Sequence, residues 1–453
     1  MPRVFRNFAL CLLGSAIAVS APAQTFTTLV FFTGPNGGGP AASPVQGLNG
    51  ALYGTTANGG AHKQGTIFAI SPQGAFQTLH NFTGPEGGQP DAALLVYANG
   101  VLYGSAFLGG VDAPGTLFAI TPAGEFTTLD HVTLGVGRAA PFPLVEGLNG
   151  TIYGVASSYG TGENATPGSI FEMTPSGTLT VLYSFGGTNQ RGASGVVQAA
   201  DGLLYGEGLG AASADGFIYS FNPATSAFTI LHTFGGPDGS QPVGGLVQAD
   251  DGNFYGFTQA GGAYNDGSIF KMTPAGAVTL LYSFNGAYTD PSTLLQGSDG
   301  NFYGTTAGGG ANGDGTIFKM TPDGDLTVLY DFAGPDGQGP WGLVQSTDGS
   351  FYGTTVSFTG APNNFGTVFR LSSGLGPFVK TLPAIGRPGE TVAILGSDLT
   401  SATEVTFNGV PAAFTMISST ALKATVPSGA TTGMVQVVTP NGTLKGNALF
   451  QIP

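Results

Sequence analysis

The side chains able to do chemistry are few, and most are acidic. The chain carries 26 Asp and Glu against 12 Lys and Arg, with four His, one Cys and one Trp. Asp215, Asp266 and Asp314 each precede a Gly at the head of a β-like run, at matching points of successive segments. Carboxylates are hard oxygen ligands, so this trio is the candidate set for calcium. No EF-hand loop accompanies it, and Asp also serves plain solvated turns. Trp341 is the candidate platform for a sugar ring, with Tyr264, Tyr288 and Phe358 as further aromatics and Asp238 and Asp336 as polar partners. The competing role of so large an aromatic is packing. His62 lies in a loop beside Lys63, with no carboxylate at fixed spacing to orient it as a general base. His80 and His232 share a strand position that Tyr183, Tyr282 and Tyr330 fill elsewhere, and alternation alone explains them. No Ser-His-Asp order, HExxH or Walker sequence is present.

An internal repeat must position these residues. Tyr-Gly recurs at Tyr53, Tyr103, Tyr153, Tyr205, Tyr255, Tyr303 and Tyr352, at intervals of 48 to 52 residues. Asn-Gly or Asp-Gly precedes each one, from Asn49 to Asp348, and suggests a type I′ hairpin with two left-handed residues. A Gly-rich loop, a run such as GSIFKM from Gly267, a Pro-x-Gly turn and a run such as VTLLYSF from Val278 follow. That makes four strands per repeat, the make-up of a propeller blade. The fourth-strand pattern is missing after Leu371 and reappears near the N-terminus as FTTLVFF from Phe26. The expected fold is therefore all-β: a seven-bladed β-propeller over 24–372, closed by its own N-terminal strand. Such closure removes an exposed sheet edge. A linker at 373–376 and a small β-sandwich at 377–453 complete the chain.

Residues present in every repeat serve packing and turns, so a site belongs where the repeats differ. Strand alternation puts the long Gly-rich loops on one rim, here called the loop face, and the tight turns on the other. Ten acids fall on the loop face, namely the five already named and Glu86, Asp91, Asp112, Glu163 and Asp290. Residues 24–376 hold only six Lys or Arg against 23 Asp or Glu. A nucleic-acid partner is excluded on that balance, since binding a polyanion needs clustered cations. Residues 1–23 read as a signal peptide: Arg3 and Arg6, an apolar run from Phe8 to Val19, then Ala21-Pro22-Ala23. Cleavage removes Cys11, so disulfides and thiol chemistry are not expected, nor is a membrane span in what remains.

The motifs D/N-G-x-x-Y-G-T-T, G-T-I-F-K-M-T-P and L-T-V-L-Y-S-F, seen around Asp299 to Phe332, resemble the GloVer-type tandem repeats of secreted bacterial "choice-of-anchor" proteins. The resemblance covers about residues 26–371 and implies export and display, without implying an activity. It also leads one to expect a terminal sorting anchor, yet Phe450 to Pro453 carries no hydrophobic span. The C-terminal segment resembles an IPT/TIG immunoglobulin-like domain through Gly389-x-x-Val392-x-Ile394-x-Gly396 and Val405-x-Phe407-Asn408-Gly409. The function expected is that of an exported, monomeric, non-enzymatic binding protein. Its loop face would recognise an extracellular glycan or protein, with the terminal domain as spacer or adhesion module. The alternatives are a metal-assisted lyase or hydrolase at the propeller axis, and a structural envelope component.

Overall fold

The computed structural model describes residues 24–109, 115–132, 138–139, 143–157, 168–186, 192–210, 215–286, 288–357 and 365–453. The signal-peptide reading, Asp112, Glu163 and Phe358 lie outside them.

Each repeat folds as four antiparallel strands, except that in the third two short strands, Arg138–Ala139 and Val145–Glu146, share the innermost position. In the sixth these are Tyr288–Gln296, Phe302–Gly309, Thr316–Met320 and Leu326–Asp331, innermost to outermost. The first, second, fifth and sixth repeats form separate four-stranded sheets, while the third and fourth merge into one nine-stranded sheet. The N-terminal strand Thr25–Phe31 pairs with Thr367–Ser372 as the outermost strand of the last repeat, Phe26 opposite Leu371 and Phe31 opposite Thr367. The expected closure is thus present.

The co-occurrence of Tyr-Gly and Gly-Thr-x-Phe has a steric cause. A Cβ on Gly304 would come within 2.3 Å of Phe318 Cζ, and one on Gly54 within 2.4 Å of Phe68 Cζ. Each Phe lies across the glycine of the neighbouring strand, so the two motifs appear together.

The Asp-Gly turns depart from the type I′ expectation. Only the glycines take positive φ, as at Gly300 (79°) and Gly252 (77°). Gly300 N–H bonds to Gly297 O at 2.9 Å and Gly297 N–H to Asn301 O at 2.8 Å, a longer loop closed by one left-handed glycine. The aspartate stays out of the left-handed region because its carboxylate is committed: Asp299 Oδ1 accepts from Asn301 N–H and Oδ2 from the Tyr303 hydroxyl and the Lys319 ammonium.

Hydrophobic clusters fill the joints between repeats. Tyr303, Ile317 and Phe332 of the sixth pack with Phe351 and Phe369 of the last. Phe32, Tyr352 and Val368 pack in turn with Leu52 and Phe68 of the first, so the ring closes through the same kind of core. Glutamines ending innermost strands tie four of the joints at the tight-turn face. Gln198 Oε1 accepts from Leu148 N–H, Gln296 Oε1 from Asp250 N–H and Gln345 Oε1 from Ser298 N–H. Gln46 Oε1 accepts from Thr347 N–H at 3.0 Å, the same bond across the closure.

The C-terminal segment is a sandwich of two four-stranded sheets around Val392, Ile394, Leu399, Phe407, Leu422, Val437 and Phe450. It docks on the tight-turn face. Ser418 and Thr420 hydroxyls donate to Leu48 O, Phe378 N–H to Thr347 O, and Leu449 N–H to Asp250 Oδ1 at 2.9 Å. It therefore straddles the first, fifth and last repeats.

Candidate functional site

One cavity of about 210 Å³ is lined by innermost-strand or strand-entry residues of six repeats, which places it at the ring axis. Its wall includes Ser43, Asp91, Gly244, Ser292, Thr293 and Trp341. The neighbouring inner strands are knitted by hydroxyls, the short side chains that fit where strands crowd toward an axis. Ser292 Oγ donates to Pro340 O at 2.7 Å, Thr293 Oγ1 to Trp341 O, and Ser43 Oγ accepts from Leu343 N–H at 3.1 Å. The Trp341 backbone is thereby fixed while the residue stays 38% exposed. The site can present an aromatic face, hydroxyls and one carboxylate to a small polar ligand.

The other sequence candidates do not gather there. Tyr264 is 62% exposed at the tip of a fifth-repeat loop and does not line the cavity. Tyr288 begins the innermost strand of the sixth repeat, its backbone opposite Gly309, and its side chain lies outside the described residues. His62 stands exposed in a first-repeat loop, also away from the cavity lining.

Asp238 and Asp336 hold turns. Asp238 Oδ1 accepts from Gly235 N–H at 2.8 Å and its Oδ2 meets His232 Nε2 at 2.7 Å. Asp336 Oδ1 accepts from Ala333 N–H and Oδ2 from the Tyr330 hydroxyl, which pushes that phenol's pKa up on top of the effect of burial. Glu86 does the same with Thr83 N–H and His80, and Asn36 with Thr33 N–H. Burial holds the His80 pKa below its usual value, against the pull of Glu86. The sequence carried the signal for this structural role: Gly-Pro-[Asn/Glu/Asp]-Gly recurs at Gly34, Gly84, Gly236 and Gly334.

The proposed calcium trio is spread over three repeats. Each Asp is half-buried at the head of its third strand. Asp215 O accepts from Gln241 N–H and Asp314 O from Gly339 N–H, while Asp314 Oδ1 accepts from Gln338 Nε2. Among the described residues no three His, Cys, Asp or Glu side chains group as a metal site. The residues that sequence reasoning missed are Ser43, Ser292, Thr293 and a buried carboxyl, Glu207. Tyr205-Gly206-Glu207, where three other repeats read Tyr-Gly-Thr, was the available signal for the last.

Ring and sandwich define a repeat-built, propeller-like scaffold with a docked immunoglobulin-like domain. The chain belongs to the Gloeobacter/Verrucomicrobia repeat family, which matches residues 13–208, 140–294 and 251–386, and an IPT/TIG domain follows at 378–452. Among solved structures it is similar to an oligogalacturonate lyase of Vibrio parahaemolyticus, at 12% identity and a TM-score of 0.53, over 78% of this chain and 94% of that one. A 6-phosphogluconolactonase-like protein of Bacteroides fragilis aligns at 16% identity and a TM-score of 0.48, over 77% and 91% of the two chains. These likenesses are of fold alone. No curated protein matches the chain in sequence. Among the described residues no helix is long and apolar enough to cross a membrane.

Proposed function

We propose that the protein is an exported binding protein whose axial cavity receives a saccharide, with Trp341 as the stacking face. The observation that carries this reading is the half-exposed indole of Trp341 in the wall of an axial cavity, beside Ser43, Ser292, Thr293 and Asp91. An aromatic face flanked by hydroxyls and a carboxylate suits the alternating apolar faces and hydroxyl edges of a sugar. Hydrogen bonds between inner strands hold the wall in advance, so little ordering entropy opposes binding. The terminal domain covers the tight-turn face, which leaves the loop face for ligand entry and makes the domain a floor for the ring as well as a spacer. Recognition is favoured over a lyase or hydrolase reading because, among the described residues, Asp91 is the one carboxylate in the cavity lining and no His joins it.

Trp341 is the single Trp of the chain, so its fluorescence reports on this cavity alone. Titration with neutral and acidic oligosaccharides should give a saturable emission change with at least one of them. In Trp341→Ala the accompanying ligand-induced rise in melting temperature should disappear. A ligand at 100 times its Kd stabilises the folded chain by about 2.7 kcal/mol, a shift large enough to read. No response across the panel would sink the saccharide reading.

A further inference from the structure

The largest departure from the repeat pattern among buried polar residues is Glu207, fully buried in the strand Leu204–Leu209 of the fourth repeat. The equivalent positions hold Thr55, Ser105, Val155, Phe257, Thr305 and Thr354. At Thr55 and Thr354 the hydroxyl reaches the chain leading into the innermost strand of the next repeat, whereas Thr305 Oγ1 meets Ser292 Oγ of its own repeat. Thr55 Oγ1 donates to Ala92 O and Thr354 Oγ1 to Ala42 O, both at 3.1 Å. Glu207 reverses the polarity: its Oε2 accepts from Gly245 N–H at 3.0 Å.

That contact holds an irregular piece of the axial wall. Gly244 and Gly245 both take left-handed backbone, at φ 92° and 85°. The ladder between Ser240–Gln248 and Phe254–Ala260 shifts register between Val243 and Val247. Gly244 lines the same cavity as Trp341. A carboxyl fits here because glycines surround it: a Cβ on Gly256 would come within 2.9 Å of Glu207 Oε1. That oxygen has no hydrogen-bond partner among the described residues. From the neighbouring strands Ser194, Gly245 and Gly256 bring no charge. Tyr219, whose hydroxyl donates to Gly195 O at 3.3 Å, is the titratable group that faces it.

We propose that Glu207 is a proton-controlled element of the cavity wall: as a neutral acid it packs without water behind the Gly244–Gly245 bulge, and on losing its proton to solvent it draws water to its unpartnered Oε1, so that the wall opens around the bulge while the Gly245 N–H bond to Oε2 is kept. An ionised carboxylate here would keep one oxygen buried and unsatisfied, an arrangement proteins relieve by local opening or by admitting water. Burial pushes the carboxyl up to about 8, with the Gly245 N–H and the Ser194 hydroxyl pulling the other way. The change therefore falls in a mildly alkaline range. It concerns the shape of the cavity and stands apart from which ligand the cavity takes.

The test needs no ligand. Trp341 emission of the full chain, followed from pH 7 to 9.5, should show a one-proton transition centred near pH 8, with the acid about tenfold more protonated than ionised at pH 7. Glu207→Gln, and Glu207→Thr, which restores the residue of three other repeats, should both abolish it. Over the same range the infrared band of a protonated carboxyl in the native chain should fade. A flat native profile, a transition that survives in either variant, or a carboxyl band already absent at pH 7 would overturn the proposal.

Discussion

Truncating Phe32 tests whether the N-terminal strand is a true joint of the ring. Phe32 is fully buried, with its ring centre 5.4 Å from Phe68 and 5.8 Å from Phe76, both in the first repeat. Phe82 occupies the matching place one joint on, also fully buried, at 5.4 Å from Phe118 and 5.5 Å from Phe126. Replacing a buried Phe by Ala removes its transfer free energy and leaves a cavity, at a combined cost of about 3–5 kcal/mol. If the closure is a joint like the others, Phe32→Ala and Phe82→Ala should cost the same within about 1 kcal/mol. Taking the usual unfolding entropy per residue for a ring of this length, each should lower the melting temperature by about 5 °C. Urea unfolding followed by Trp341 emission and by circular dichroism would measure both variants side by side. A Phe32→Ala variant as stable as the native chain, beside a Phe82→Ala variant several kcal/mol weaker, would refute the reasoning.

Further outcomes follow from the same structure. Gly304→Ala should destabilise by about 1–3 kcal/mol through overpacking against Phe318, and Phe318→Leu should recover part of that loss in urea unfolding. Burial alone would raise the Asp251 carboxyl, but the Lys271 ammonium, Asn253 and the Tyr255 hydroxyl hold it down at about 2. Its folded-state pKa lies below the ordinary 3.8, so its stabilising contribution is present above that value and is lost as pH falls toward 2. Asp251→Asn should flatten this part of the acid limb of urea midpoints plotted against pH. Glu207 acts with the opposite sign. Its folded form keeps a proton that the unfolded chain releases above the ordinary 4.5, so stability should decline from there to about pH 8 and level off beyond. Glu207→Gln should remove that slope. Asp250→Ala deletes the acceptor of Leu449 N–H and should expose the backbone of the docked domain to faster hydrogen exchange near Leu449, leaving the ring's own exchange unchanged.

What the sequence determined by itself was everything that repeats. The recurrence of Tyr-Gly and Gly-Thr-x-Phe, the strand alternation and the displaced fourth strand at Phe26 were enough for the propeller-like ring and its closure, because packing that recurs leaves the same residue types at the same spacing. The C-terminal sandwich was legible for a similar reason, from short alternating strands between turn residues. The type I′ turn was misread because the side chain of Asp299 supplies hydrogen bonds that keep its own backbone out of the left-handed region, leaving that conformation to Gly300 alone. The candidate site was legible only in part. Trp341 stood out by type, but Ser43, Ser292 and Thr293 look like any other strand hydroxyls until six repeats bring their innermost strands to one axis. Tertiary structure alone decided that Glu207 loses all contact with water behind the axial wall, with Gly245 of the next repeat as its partner. It also decided that the terminal domain covers one face of the ring. Each of these depends on which groups meet across a distance of tens or hundreds of residues, and pairing at that range leaves no period in the sequence.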